Sequence, residues 1–324
     1  MAIQLQKAKR IQAKIKIAIG GASGSGKTLS ALLLAYGLVQ AEHPQWTAEQ
    51  VWDHIAVIDA ENRSSSLYVG KSVSGVTIGS FNAIYVEPPF EEQTLIDSLA
   101  MCEQAGIECA IIDSASAYWT DALETQGRIA ERTKNAFSAW RPVKNDIQKM
   151  MNKILQCNMH IIANYRAKIE YTQETNESGK KVVKSLGMGI IAEGNTSYEY
   201  STMLMLDADH VANAAKDRTG LFDGKYFVIT PDTGKQLYQW MAEGEVAPPP
   251  APVLQKAEAP VNEDPAMADR IAKALAVVDP LICAAAAADK EGTRAKVIEI
   301  CGDANYKQIK DIEVLTKLYH AFNV

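Results

Sequence analysis

Eight consecutive residues carry the strongest chemical signal in the chain: Gly21, Ala22, Ser23, Gly24, Ser25, Gly26, Lys27 and Thr28. The spacing GxxxxGK[ST] is met by Gly21, Gly26, Lys27 and Thr28, after a short apolar run and before a helix-forming one. Glycines let a backbone close around phosphate oxygens because no Cβ intrudes. The amides of such a loop and of the helix start behind it, Leu29 included, point at the anion. The Lys27 ammonium then reaches the outer phosphates of a nucleoside triphosphate, and the Thr28 hydroxyl holds Mg²⁺.

Two further roles need acids. A second metal-side group is expected at the end of a neighbouring strand. Asp113 closes the run CAIID and Asp59 closes HIAVID, so position alone does not choose between them. A group that orients or deprotonates water is also needed. Glu61 is the candidate, because it lies just past HIAVID, where loops converge at the carboxyl edge of a sheet. The plainer alternatives are a strand-end cap for Asp113 and a solvated loop acid for Glu61.

These groups converge only if strands and helices alternate. IKIAI (15–19), HIAVID (54–59), CAIID (109–113) and HIIAN (160–164) are continuous apolar runs, the kind buried on both faces of a parallel sheet. Segments 84–86, 200–208 and 225–230 read as further strands; 28–39, 93–104 and 134–157 read as helices. The expected fold class is α/β, with a mainly parallel central sheet and a small C-terminal all-helical domain. Residues 245–265 are rich in Pro, Ala and acid and cannot bury a core. The organisation predicted is a core over 1–243, a linker over 244–265 and a helical domain over 266–324, whose apolar run is broken by Pro280.

The bulk numbers agree with a globular protein: 324 residues, 47% hydrophobic and 22% charged. Five cysteines form no CxxC pair and no histidines cluster near them, so no zinc site is expected, and several of the thiols, lying in apolar runs, read as reduced and buried in a cytoplasmic protein. No apolar run approaches the roughly 20 residues of a membrane span, and the first residues have no signal-peptide core.

Several segments together resemble the RecA/RadA-like recombinase core, which implies a RecA-like P-loop NTPase fold. IDAE (58–61) is similar to the strand carrying that family's catalytic glutamate, and Tyr68, seven residues on, to the tyrosine that stacks on adenine. AIIDSAS (110–116) resembles the Walker B strand, which gives Asp113 the metal role beside Thr28. HIIANYRAKI (160–169) resembles the strand that ends in Asn-Gln before a DNA-binding loop. Asn164 is kept and Tyr165 replaces Gln, which leaves the γ-phosphate-sensing role to Asn164 or Arg166. AAKDRTGLFDGKYFVI (214–229) resembles the segment whose two basic residues, here Lys216 and Arg218, reach the neighbouring subunit's nucleotide. The resemblance spans roughly residues 12–240 and is closest to phage-encoded RecA-like ATPases, including the RecA-like branch of the Sak single-strand annealing proteins. It implies ATP and Mg²⁺ as cofactors, ATP hydrolysis, a homo-oligomer (filament or ring), and action on single-stranded DNA in recombination or annealing within a bacterial host cytoplasm.

Charge points to nucleic acid as well. Residues 126–185 carry twelve Lys and Arg against five acids, whereas the whole chain has a net charge of −6. Two segments stand out as candidate contacts for nucleic acid. One is 117–126, a loop after the Walker B strand with Tyr118 and Trp119. The other is 168–195, a polar glycine-bearing loop whose lysines track phosphates and whose Tyr171 stacks on a base. Two further readings share the same core. One is a nucleotide-gated adaptor or helicase loader with little turnover, which docks a partner such as a single-strand-binding protein through the C-terminal domain. The other is a ring-shaped translocating motor.

Overall fold

The computed structural model describes residues 12–175, 181–245, 265–301 and 312–323, together with Lys7, Arg10 and Tyr306. The chain divides into two compact units, residues 1–248 and 249–324. The first unit runs β1 (Lys16–Gly21), α1 (Lys27–Glu42), α2 (Ala48–Asp53), β2 (Ile55–Asp59), β3 (Ser72–Val73), β4 (Val76–Thr77), β5 (Asn82–Tyr85) and α3 (Glu92–Gln104). It continues with β6 (Cys109–Asp113), α4 (Ser116–Thr133), α5 (Ala136–Gln156), β7 (His160–Thr175), β8 (Lys181–Ile190), α6 (Thr196–Glu199), β9 (Thr202–Leu206), β10 (Val211–Asp217), β11 (Tyr226–Val228) and α7 (Pro231–Ala242).

The main sheet has the order β11-β10-β9-β1-β7-β6-β2-β5. Pairings from β9 to β5 are parallel, and β10 and β11 add an antiparallel edge. Alternation along each strand explains the apolar runs. Ala18, Ile112 and Ile161 face a core shared with Leu99, Tyr118 and Ile147. Their neighbours Ile17, Ile111 and Ile162 face a second core with Leu32, Trp52 and Leu237. A strand covered by helices on both faces has no room for a polar alternate. This is the α/β architecture expected of a P-loop fold.

Two expected loops are regular structure. Residues 117–126 lie inside α4; Tyr118 is buried, and Trp119 stacks on Trp140 of α5 with centroids 6.2 Å apart. The aromatics that suggested a DNA-facing loop therefore join two helices. Segment 168–195 is also no open loop: β7 runs on past the sheet and pairs antiparallel with β8, from Ala167↔Ile190 to Thr175↔Lys181. Backbone pairing in the ribbon supplies the order that the polar sequence does not announce. The side chains of Tyr171, Lys180, Lys181 and Lys184, on which the expected contacts rest, lie outside what the structure describes.

The second unit comprises α8 (Pro265–Ala288), α9 (Lys290–Cys301) and α10 (Ile312–Phe322), around Val278, Ile282, Val297, Tyr306, Leu315 and Leu318. Pro280 does not break α8, which runs through it. The turn lacks one amide donor there, and the packing of Val278 and Ile282 on either side holds it. As a result 270–288 forms one helix of 19 residues long and apolar enough to cross a membrane, contrary to the expectation of no such run. Its buried Val278 and Ile282 belong to the core of the unit.

Two details of the first unit set its stability. Helices α1 and α7 approach at glycines: a Cβ on Gly37 would lie 1.8 Å from the Pro231 carbonyl oxygen, and one on Gly234 2.2 Å from that of Leu34. Opposite the phosphate loop, buried His160 accepts the Ile15 amide at Nδ1 (3.0 Å), so its proton sits on Nε2 and donates to Glu42 Oε2 (3.0 Å). Burial lowers the His160 pKa against the pull of Glu42. Burial works against the Glu42 carboxylate too, yet hydrogen bonds from His160 and Lys14 bring its pKa down to about 2.

Gly37→Ala is expected to destabilise the protein by about 1–3 kcal/mol through overpacking. Gly127→Ala, in α4 with nothing near its added Cβ, is expected to hold or raise stability by up to about 1 kcal/mol. Thermal midpoints of the two variants check this. The folded state keeps His160 neutral while the unfolded chain takes up a proton below its ordinary value of 6.5. Stability therefore falls with acid by up to about 1.4 kcal/mol per pH unit from this group. The Glu42 contribution, full above its ordinary 4.5, is lost as pH drops towards 2. Urea midpoints between pH 7 and 5 should decline in the parent and decline less in His160→Gln.

Candidate nucleotide site

The phosphate loop bridges the end of β1 and the first turn of α1. Gly24 (φ 80°) and Gly26 (φ 87°) both adopt the left-handed conformation that favours glycine. Lys27 folds back over the loop and donates to the carbonyl oxygens of Gly21 (3.1 Å) and Ala22 (2.8 Å). Burial lowers its pKa, opposed by the charges of Glu61 and Asp113. A partly desolvated ammonium that holds only carbonyls is well placed to exchange them for phosphate oxygens.

Thr28 Oγ1 donates to Asp113 Oδ2 at 2.6 Å. Burial raises the Asp113 pKa, while the Thr28 hydrogen bond opposes the rise. Asp113 Oδ1 has no partner, nor does either side-chain atom of buried Asn164, which stands in register between Ile19 of β1 and Asp113 of β6. Among the described residues, seven buried side-chain polar atoms lack a partner; five of them, on Ser25, Asp113, Ser114 and Asn164, sit at this sheet edge. Such atoms are rare unless something binds there. A hydroxyl and a carboxylate are hard oxygen donors, and they fit Mg²⁺.

The structure separates the two strand-end acids. Asp59 accepts from the amides of Glu61 (2.8 Å) and Ser65 (3.0 Å) and from the Ser65 hydroxyl (2.5 Å). Its oxygens are spent on shaping the turn after β2, which leaves Asp113 as the acid beside Thr28. That turn carries Glu61, whose Oε1 accepts from Arg166 Nε at 2.9 Å. It ends in a 3₁₀ turn (Ser64–Tyr68), and the Lys71 ammonium lies 5.1 Å from the centroid of Tyr68.

These pieces enclose a cleft of 880 Å³. Of the residues expected to bind a nucleotide, Ser23, Gly24, Gly26, Lys27, Thr28, Leu29, Glu61 and Tyr68 line it. Gly21 and Ala22 stand behind, as the carbonyls that hold Lys27, and Ser25 is buried. Asp113 and Asn164 lie beneath, not on the wall. Lys216 and Arg218 do not line the cleft: Lys216 donates to the Ser197 (3.1 Å) and Tyr198 carbonyls, and Arg218 to that of Tyr198 (3.2 Å). Tyr165, standing where the recombinase pattern has Gln, is buried with its hydroxyl 2.8 Å from that of Tyr200, and its neighbour Arg166 reaches the cleft instead. Among the wall residues that the sequence gives no reason to expect are Lys71, Val228 and His210. No spacing marks His210, because the pairing Gly21↔Leu206 brings its turn to the phosphate loop.

A parallel sheet with a phosphate loop after its central strand defines the molecule as a P-loop ATPase. A family profile described as an AAA domain (AAA_24) matches residues 13–220, and the chain belongs to that family. No curated protein matches it.

Asp113→Asn is expected to reduce Mg²⁺-dependent ATP hydrolysis on the order of a hundredfold, since it removes charge from the metal side. Binding of a fluorescent nucleotide without Mg²⁺ should stay within a few-fold. Parallel hydrolysis and fluorescence titrations check this.

Proposed function

We propose that this chain hydrolyses ATP under the control of the β7–β8 hairpin, and that the ligand of the hairpin is single-stranded DNA. The ion pair between Arg166 and Glu61 carries the reading. Glu61 is the carboxylate best placed to activate water, and it is held by an arginine. That arginine stands at the root of the hairpin. Its amide donates to Ser116 Oγ (2.9 Å), Ser116 Oγ donates to the Ile191 carbonyl (2.7 Å), and the Ile191 amide donates back to the Arg166 carbonyl (2.7 Å). A pull on the ribbon therefore acts on the backbone that holds the guanidinium.

The other roles follow from chemistry. Bound Mg²⁺ supplies charge neutralisation at the phosphates, with Thr28 and Asp113 as its protein ligands. Lys27 stabilises negative charge on the transferring group, and Tyr68 offers its ring to the base. Lys216 and Arg218, turned away from their own cleft, would serve the cleft of a second copy in a filament or ring. The excess of Lys and Arg over residues 126–185 favours a phosphate backbone as partner. The resemblance to phage-encoded RecA-like ATPases and Sak proteins favours annealing or strand exchange as the process served.

The test is ATP hydrolysis with and without single-stranded DNA, at low and high salt. Stimulation that fades as salt rises supports the proposal. In Arg166→Ala the free Glu61 should raise the basal rate several-fold and remove the response to DNA. Tight ATP binding with no DNA effect in the parent would turn the reading to a nucleotide-gated adaptor.

A further inference from the structure

We infer that His210 is a nucleotide-binding residue, whose imidazole donates a hydrogen bond to the phosphate chain. The ring sits on the phosphate loop itself: its Nδ1 lies 3.0 Å from where a Cβ on Gly26 would stand, so the absence of a side chain at Gly26 makes room for it. His210 lines the cleft, is exposed to it, and makes no side-chain hydrogen bond within the described residues.

Its placement is built. His210 takes a left-handed backbone (φ 65°), uncommon for a residue with a side chain. The turn is held by Asp207, whose Oδ1 accepts the amides of Asp209 and Val211, both at 2.9 Å. Asp207 follows Leu206, the residue paired with Gly21 at the start of the loop. A strained turn tied to the strand beside β1 thus carries an imidazole to the first turn of α1.

Position selects the target. Lys27, Glu61 and the Thr28–Asp113 pair mark the end of the cleft that takes the outer phosphates and the cation. Leu29, Leu33, Val228 and Ile229 add apolar wall to the same cleft. His210 stands against Gly26, where the first-turn amides of α1 face an anion. A neutral or charged imidazole has an N–H for that oxygen. The inference rests on the nucleotide reading of the cleft and not on the DNA reading.

The experiment is titration of ADP into the parent, His210→Gly and His210→Gln. Gly tolerates the left-handed turn and carries no side-chain donor, whereas Gln keeps an N–H. The expected result is about tenfold weaker ADP binding in His210→Gly, with partial recovery in His210→Gln. The KM for ATP should rise in proportion and kcat stay within twofold. ADP affinity within twofold of the parent in His210→Gly would overturn the inference. As a check free of substitution, the parent labelled with ¹⁵N-histidine should show one imidazole shifting on ADP addition; no shift despite saturating ADP would also overturn it. Failure of the parent to bind ADP would sink the nucleotide reading itself.

Discussion

The hydrogen bond from Thr28 to Asp113 exists only because three strands hold one register. Thr28 opens the helix that follows β1, and Asp113 ends β6, but the two strands are not neighbours. β7 lies between them, with Asn164 level with both Ile19 and Asp113. A slip of one residue in either pairing would turn Asn164 to the other face and carry Asp113 away from the helix start. Continuous apolar packing on both faces makes such a slip costly, because every side chain would exchange cores. The long buried runs thus secure the position of two polar atoms.

Those atoms carry an electrostatic cost that the fold does not remove. Asp113 is buried, and neither its Oδ1 nor the side chain of Asn164 beside it makes a well-aligned hydrogen bond, although Asn164 is close enough to favour the carboxylate. Orphaned groups of this kind each cost on the order of 1–3 kcal/mol. Asp59, one strand farther out, shows the other solution, with its oxygens satisfied by the turn it caps. The contrast separates an acid that builds the site from one left with free bonding capacity. A cation and a phosphate chain would supply the second with partners.

Legibility followed burial. Phosphate loop and parallel strands could be read because spacing and apolar continuity are local. The choice between Asp59 and Asp113 could not, since both end equivalent runs and only strand order distinguishes them. The ribbon of β7 and β8 escaped notice because, beyond the sheet, it has no buried face to impose alternation. The expected loop after Asp113 is helix for the opposite reason: Tyr118 is buried and Trp119 packs on α5, contacts that only the fold supplies. In the second unit, proline punctuation misled where helix packing carried α8 through Pro280.

Strand alternation gives Tyr165 and Arg166 opposite surroundings. A side chain at 165 points into the core, where Tyr165 meets Tyr200. Alternation then gives the next residue, Arg166, the face towards the cleft. An arginine there differs in kind from a neutral amide. It brings a permanent charge to Glu61 and can restrain that carboxylate, whereas an amide could only hydrogen-bond to it. Freeing Glu61 must then break an ion pair that is half open to water, which costs about 1 kcal/mol or less. Such a contact is weak enough for a ligand on the hairpin to undo, and a deeply buried pair in the same place would hold the carboxylate too firmly to be released.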